Sequence, residues 1–355
     1  MKSEKDLFAS GERGYHTYRI PSLLLAANGD VLAFCEGRTN SSSDRAKIDI
    51  LMRRSSDGGM TWSDMSLVAA EEGMTCGNNC PVVDQRDGKI LLLFCKNPAD
   101  VPKSAIIKQE ALRTVWITGS YDNGRTWSET REITPNVKKN LWNWYATGPG
   151  HAIQLASGRL LIPCNHNVLV HGNDMDPYHS HVIYSDDRGK TWQIGGQISL
   201  PSNENCLVEL GGGNVYMNCR TRKDKSRRVG AFSRDGGITF MEEFYHEELP
   251  EPTLYAGGCE GSLVRLSENA VLFCNPATSI DIRCRLTVRI SSDGCRSFGA
   301  GRILCEGLSA YSDMVVLSDQ TVLCLYERGE KNLSEFLTLA RFDLDWLCEN
   351  SSKTK

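Results

Sequence analysis

The chain has 355 residues, a formal net charge of −4, 40% hydrophobic and 24% charged residues, 32 glycines and 14 cysteines. The mild negative balance argues against nucleic acid and anionic membrane as main partners. No run is long enough to span a membrane, the opening MKSEKDLFAS has no apolar core of a secretory leader, and no low-complexity tract or linker divides the chain.

In chain order, YHTYRIPSLL (Tyr15 to Leu24) reads as a strand that carries Arg19 at its edge, and VLAFCEGR as a second strand. The strand IDILMRRS then runs into SSDGGMTW (Ser55 to Trp62), of the form Ser-x-Asp-x-Gly-x-Thr-Trp. The same form returns as SYDNGRTW (Ser120 to Trp127) after the strand TVWITGS, and as SDDRGKTW (Ser185 to Trp192). A fourth copy, SRDGGITF (Ser233 to Phe240), ends in Phe; in a fifth, SSDGCRSF (Ser291 to Phe298), Cys295 replaces the second Gly and Ser297 the Thr. Asp and Gly at the centre suit a tight reversal, and the closing Trp or Phe can anchor the turn on the layer beneath. The central aspartates Asp57, Asp122, Asp187, Asp235 and Asp293 lie 65, 65, 48 and 58 residues apart. That period suits a four-stranded unit with long loops, repeated around an axis as in a β-propeller, and a sandwich rarely repeats one turn word. A single site does not need five equivalent carboxylates, so these aspartates are expected to shape turns.

Other features lie between the turns. Cys76 and Cys80 form an isolated CxxxC, read as a loop thiol pair rather than a zinc site. Many of the remaining cysteines sit in apolar strands, as reduced thiols do in a cytoplasmic protein; a secreted form trimmed of its leader would read the same way. IPCNHNVLVHGNDMDPYHSHVIYS holds His166, His171, His179 and His181 with Asp174 and Asp176, and is expected to be a solvated rim loop without metal. VYMNCRTR ends a strand at Arg220, and DIRCRLTVRIS places Arg283, Arg285 and Arg289 in alternation. Each alone suits a solvent-facing strand position; three from separate units converging on an axis would bind a carboxylate by paired hydrogen bonds. The tail ENSSKTK is expected to be disordered.

YRIP followed by the repeated turn word, with NENCLVEL, MNCR, RCRLTVR, AYSDM and CLYE in that order, resembles the exo-α-sialidases (neuraminidases) over about residues 15 to 342. The resemblance implies one all-β catalytic domain over residues 1–355, a six-bladed β-propeller. Its sixth blade would come from MVVLS, TVLCLYE and FLTLARF, closed by the N-terminal strand. It implies that Arg19, Arg220 and Arg283 grip the substrate carboxylate, with Arg283 preferred because the pattern Arg-x-x-Leu begins there. Arg38 and Glu36 would assist, and Glu327 would hold the first arginine. Asp44 matches the acid/base, with Asp49 as its structural rival. Tyr311 matches the nucleophile and Glu204 its base, with Glu209 as a supporting neighbour. Trp142, Trp144 or Tyr145 would stack on the next sugar or serve as core, and Glu260 is a further pocket candidate. No cofactor or metal is implied.

The implied activity is hydrolysis, with retention, of terminal α-linked sialic acids from oligosaccharides, glycoproteins and gangliosides. A tyrosine suits that substrate because its anomeric carbon already carries a carboxylate, which would repel an anionic Asp or Glu nucleophile. The alternatives are a sialyl-transferring or dehydrating relative, or a non-catalytic propeller that binds glycans or protein.

Overall fold

In a computed structural model, which describes residues 1–173, 177–221, 226–253 and 257–349, the described residues form twenty-four strands and three short helices. All but one of the pairings between strands are antiparallel, in four sheets of eight, five, four and seven strands. The four-stranded sheet is a plain meander: Asn205–Gly211, Asn214–Cys219, Arg227–Ser233 and Met241–Pro250. The eight-stranded sheet holds two such meanders, linked by one parallel bridge between Ile48 and Thr75. In the seven-stranded sheet one long strand, Arg302–Val316, pairs by its first half with Cys284–Ser291 and by its second half with Val322–Gly329. Lys2–Ala9 then pairs with Phe336–Phe342, so the two ends of the chain are stitched together. No helix of the described residues is long and apolar enough to cross a membrane.

The repeated word forms the same turn each time. In the second copy Ser120 Oγ donates to Asp122 Oδ1 and accepts from Gly124 N, and Asp122 accepts from the amide and hydroxyl of Thr126. The other four copies repeat the pattern, with Ser297 standing in for Thr in the fifth. The second, third and fourth turns are pressed onto the meander before them, and the first onto the strands Val322–Gly329 and Phe336–Phe342. A Cβ on Gly189, at φ 81°, would come within 2.3 Å of Leu91 Cδ1, so both the conformation and the close packing favour glycine. In the fifth copy Cys295 takes that position at φ 65°, with its thiol buried beside Leu263 and Val208.

These turns set an acid limit on stability. Hydrogen bonds from the Thr61 side chain and amide hold Asp57 down to about 2, and those from Thr126 do the same for Asp122. A depressed carboxyl stabilises the fold above its unfolded value and ceases to do so as pH falls through the folded one. The thermal midpoint should therefore fall between about pH 4 and about pH 2. In scanning calorimetry Asp122→Asn should be less stable than the parent at neutral pH and show less of that acid dependence; an identical profile would sever the link.

The first strands of successive meanders face a shared axis. Leu23, Val82, Ile153, Leu207, Leu263 and Val315 line one cavity of about 300 Å³ at one end of it. Cys76 and Cys80 are not a loop pair: both lie in the strand Met74–Asp84 and are buried in different core clusters. All fourteen cysteines are free thiols.

Candidate active site

Irregularities in four inner strands aim side chains into the opposite end of that axis. Across the strand Thr17–Leu25, Arg19 faces Glu36 while Ser22 faces Phe34, so three steps on one side answer two on the other. The extra residue is a β-bulge at Ile20–Pro21, and Ile20 sits at φ 58°, a costly conformation for a β-branched residue. The same three-against-two count puts Asn78, also at φ 58°, in a bulge between Gly77 and Cys80, and Tyr311 in one between Ser309 and Ser312. A fourth bulge lies between Trp142 and Tyr145. Arg19, Asn78, Trp144 and Tyr311 all line one cavity of about 370 Å³, together with Asp44, Glu204, Arg220 and Arg283.

At its floor the Tyr311 hydroxyl donates to Glu204 Oε1 at 2.7 Å and accepts from Arg220 Nη1 at 2.8 Å. Arg220 also contacts Glu204 Oε2 at 2.5 Å. Burial drives the phenol well above its ordinary value, and Arg220 only partly opposes that. Burial would raise Glu204 too, but Arg220, the Tyr311 hydroxyl and Arg283 outweigh it and hold the carboxyl below its usual range. The resting pair is thus a neutral phenol on an anionic carboxylate.

The arginines are held from behind. Glu327 binds Arg19 Nε at 3.0 Å and Nη2 at 3.1 Å. Gly257 O accepts from Arg220 Nε and Nη2, and Gly258 O accepts from Arg283 Nε. Arg19 and Arg283 flank the Tyr311 ring at 5.3 and 5.6 Å. Arg285 instead faces solvent in an ion pair with Glu306, and Arg289 is buried against Asn275.

Asp44 stands at the mouth, its side chain 72% exposed and 2.7 Å from Arg38 Nη1. Partial enclosure pushes its carboxyl up, but Arg38 and Arg19 outweigh this and hold it below the usual range. Asp49 is structural: it is buried and accepts from Tyr15 and Lys47. Glu36 is fully engaged by Arg38 and by the Asn78 amide, so it orients Arg38 rather than meeting a ligand through a free oxygen.

Several expectations are corrected. Glu209 is not behind the pocket: five residues along the strand carry it roughly 16 Å from Glu204, where it accepts from Ala156 N. Glu260 lies beneath the floor rather than on the wall. His166 and His181 are no rim residues: both lie on strands facing the core, with Trp142 stacked on His166 at 3.6 Å and Nδ1 atoms 3.0 Å apart. His179 lies beside them; Asp174 and Asp176 lie outside the described residues, as does the tail from residue 350. Trp142 and Tyr145 are core, while Trp144 reaches the pocket with the Arg113 guanidinium 4.3 Å from its ring.

Arg113 is a further pocket residue that its sequence context, ALRTVW, does not mark: it borders the narrow extension beneath Trp144 and hydrogen-bonds Asn97 and Asn78. Gly257 and Gly258 belong to no motif that the sequence marks. A Cβ on Gly258 would come within 2.2 Å of Glu251 Oε2, so the carbonyls that orient two arginines depend on glycine there.

A family model described as a BNR repeat-like domain matches residues 29–324. The class that this fold and site define is a glycoside hydrolase. A sialidase of Micromonospora viridifaciens is 30% identical over 98% of this chain, which spans 54% of that protein's length. Sialidase-3 of Mus musculus is 30% identical, covering 95% of this chain and 93% of its own. Among solved structures, a Hadza microbial sialidase superposes with a TM-score of 0.84 at 26% identity, over 97% of this chain and 69% of its own. The chain belongs to the sialidase family.

Proposed function

We propose that this chain is one catalytic domain, a six-bladed propeller, that removes terminal α-linked sialic acids from glycans by a retaining mechanism with Tyr311 as nucleophile. The observation that carries the reading is the Tyr311–Glu204 hydrogen bond inside a ring of three arginines. Six groups of four strands, with inner segments around one cavity, support the blade count.

In this reading Arg19, Arg220 and Arg283 neutralise and orient the sugar carboxylate. The Tyr311 oxygen attacks the anomeric carbon while Glu204 takes its proton, and Asp44 protonates the departing oxygen. Asp44 then deprotonates a water that displaces the tyrosine, and Glu204 returns the proton to the phenol. A general acid must first carry a proton, and the arginines disfavour this in the empty site. Substrate charge cancels part of that field, so binding raises the Asp44 value. The sugar product, identified chromatographically, separates hydrolysis from transfer or dehydration.

Asp44→Ala should lose about 10²–10⁴ in rate on a sialyl-galactoside. It should lose much less on an aryl sialoside whose leaving group needs no proton; equal losses would make Asp44 structural. The arginine assignment has its own contrast. Arg283→Lys keeps charge but loses the planar fork and should weaken sialic-acid-like inhibitors by about 1.5–3 kcal/mol. Arg285→Lys, on a solvent-facing pair, should leave them unchanged; titration calorimetry of both decides, and the reverse order would move the clamp to Arg285.

A further inference from the structure

We infer that Glu260 is a positioning residue for Tyr311: from beneath the pocket its carboxyl clamps the peptide of the bulge that turns the tyrosine inward. The inference rests on Tyr311 acting as the nucleophile, as proposed above.

A bulge takes amides out of the ladder, and each buried amide then needs another acceptor. In the bulge of Arg302–Val316 two carboxylates supply them. Tyr311 N is directed at Glu327 Oε2, at 3.4 Å, and Ser312 N donates to Glu260 Oε2 at 3.0 Å. Two residues beyond Glu260, Ser262 Oγ lies 3.2 Å from Ser312 Oγ, so this segment grips Ser312 at two points. Glu327 on its amide, Glu260 on the next amide and Glu204 on its hydroxyl thus fix the tyrosine at three places. Glu327 also holds Arg19, and Glu204 also meets Arg220; the hydrogen bond that Glu260 accepts from Ser312 N serves the bulge.

The surroundings of Glu260 specify its charge. It is 3% exposed, and its Oε1 has no hydrogen-bond partner. The carboxyls of Asp313 and Glu204 act on it electrostatically, it acts in turn on the thiols of Cys206, Cys259 and Cys324, and His151 is tied to Asp313 at 2.7 Å. The guanidinium of Arg228 acts on it too, but is engaged by Glu251, Asn218 and Cys259 O. Burial, with Asp313 and Glu204, pushes the Glu260 carboxyl well above its ordinary value, against the Ser312 amide and Arg228. These surroundings favour the neutral form of Glu260. A carboxylate there would oppose the negative charge that develops on the phenol oxygen as Glu204 takes its proton; a neutral acceptor holds the peptide without that penalty.

The test compares Glu260→Leu, Glu260→Gln and Glu260→Asp on an aryl α-sialoside, with affinity for a 2,3-didehydro sialic acid measured by calorimetry. Glu260→Leu frees the bulge and should lower kcat about 10- to 100-fold, with KM and inhibitor affinity within about threefold, because the arginines are oriented elsewhere. Glu260→Gln keeps a neutral acceptor and should retain kcat within about threefold. Glu260→Asp falls short by one methylene and should be impaired like Leu, which keeps the question open if the Leu variant does not fold. Unchanged kcat in Leu or Asp, parallel losses in kcat and inhibitor affinity, or a Gln variant as impaired as Leu would each overturn the inference. In a Tyr311→Phe background Glu260→Leu should add no further loss. If Tyr311→Phe itself keeps full turnover, the nucleophile reading fails; if it is inactive while Glu260→Leu is unimpaired, only the clamp fails.

Discussion

Tyr311→Phe, Glu204→Gln and the double variant should be impaired to similar degrees, each by about 10³-fold or more in kcat. The two side chains share a 2.7 Å hydrogen bond and a single Arg220 guanidinium, and both are buried. In the proposed mechanism neither does its part alone: the phenol cannot attack while it keeps its proton, and the carboxylate has nothing else to deprotonate. On that proposal removing either removes the nucleophile, so the second substitution has little left to take. Inhibitor affinity should largely survive in Tyr311→Phe, since Arg19 and Arg283 are held by Glu327 and Gly258 O, and Arg220 keeps Gly257 O and Glu204 when it loses the phenol oxygen. Single-turnover rates of the four proteins give the answer, and losses that multiply would mean the residues act separately.

Glu327→Ala should both destabilise the fold, by about 3–5 kcal/mol, and abolish tight inhibitor binding. Glu327 is fully buried, and its two oxygens face Arg19 Nε and Nη2, the Ile20 amide and the Tyr311 amide. Its loss leaves a largely enclosed guanidinium without its hydrogen-bonded counter-charge and frees the amide of Ile20, whose φ of 58° persists only because its surroundings dictate it. Glu327→Gln keeps the shape but turns one acceptor into a donor against donors, so it should be impaired almost as much. Chemical denaturation and inhibitor titration measure the two effects. A stable Glu327→Ala protein that binds inhibitor normally would show that Arg19 needs no partner.

The repeat was legible because its chemistry is local. Ser120, Asp122, Gly124 and Thr126 satisfy one another within seven residues, so the word means the same turn wherever it occurs. The gathering of Arg19, Arg220, Arg283, Glu204 and Tyr311 in one cavity was legible only through motif order, since strand alternation says nothing about which ends converge. What periodicity missed is the bulges. A period of two assigns each residue to one face, and one extra residue reverses the assignment from that point on. Trp144 could not be told from Trp142 and Tyr145, because the bulge beside it decides which ring leaves the core. Glu260 was misplaced because CEGS gives no sign that its carboxyl faces a bulge fifty residues away. Polar histidines among Asn, Gly and Asp read from sequence as a solvated rim. Stacking on Trp142 and mutual hydrogen bonding let His166 and His181 lie buried, and burial then lowers their values, so neutral rings fill the core.

The central claim is that Tyr311 bonds to the anomeric carbon, and the configuration of the first sugar released tests it most directly. Two displacements return the original configuration, one inverts it. Proton NMR of an α-sialoside reaction, followed from its first minutes at an enzyme concentration that outpaces mutarotation, should show the α anomer accumulating before any β anomer. A β anomer appearing first would mean that water attacks directly, and would leave Tyr311 only an electrostatic role.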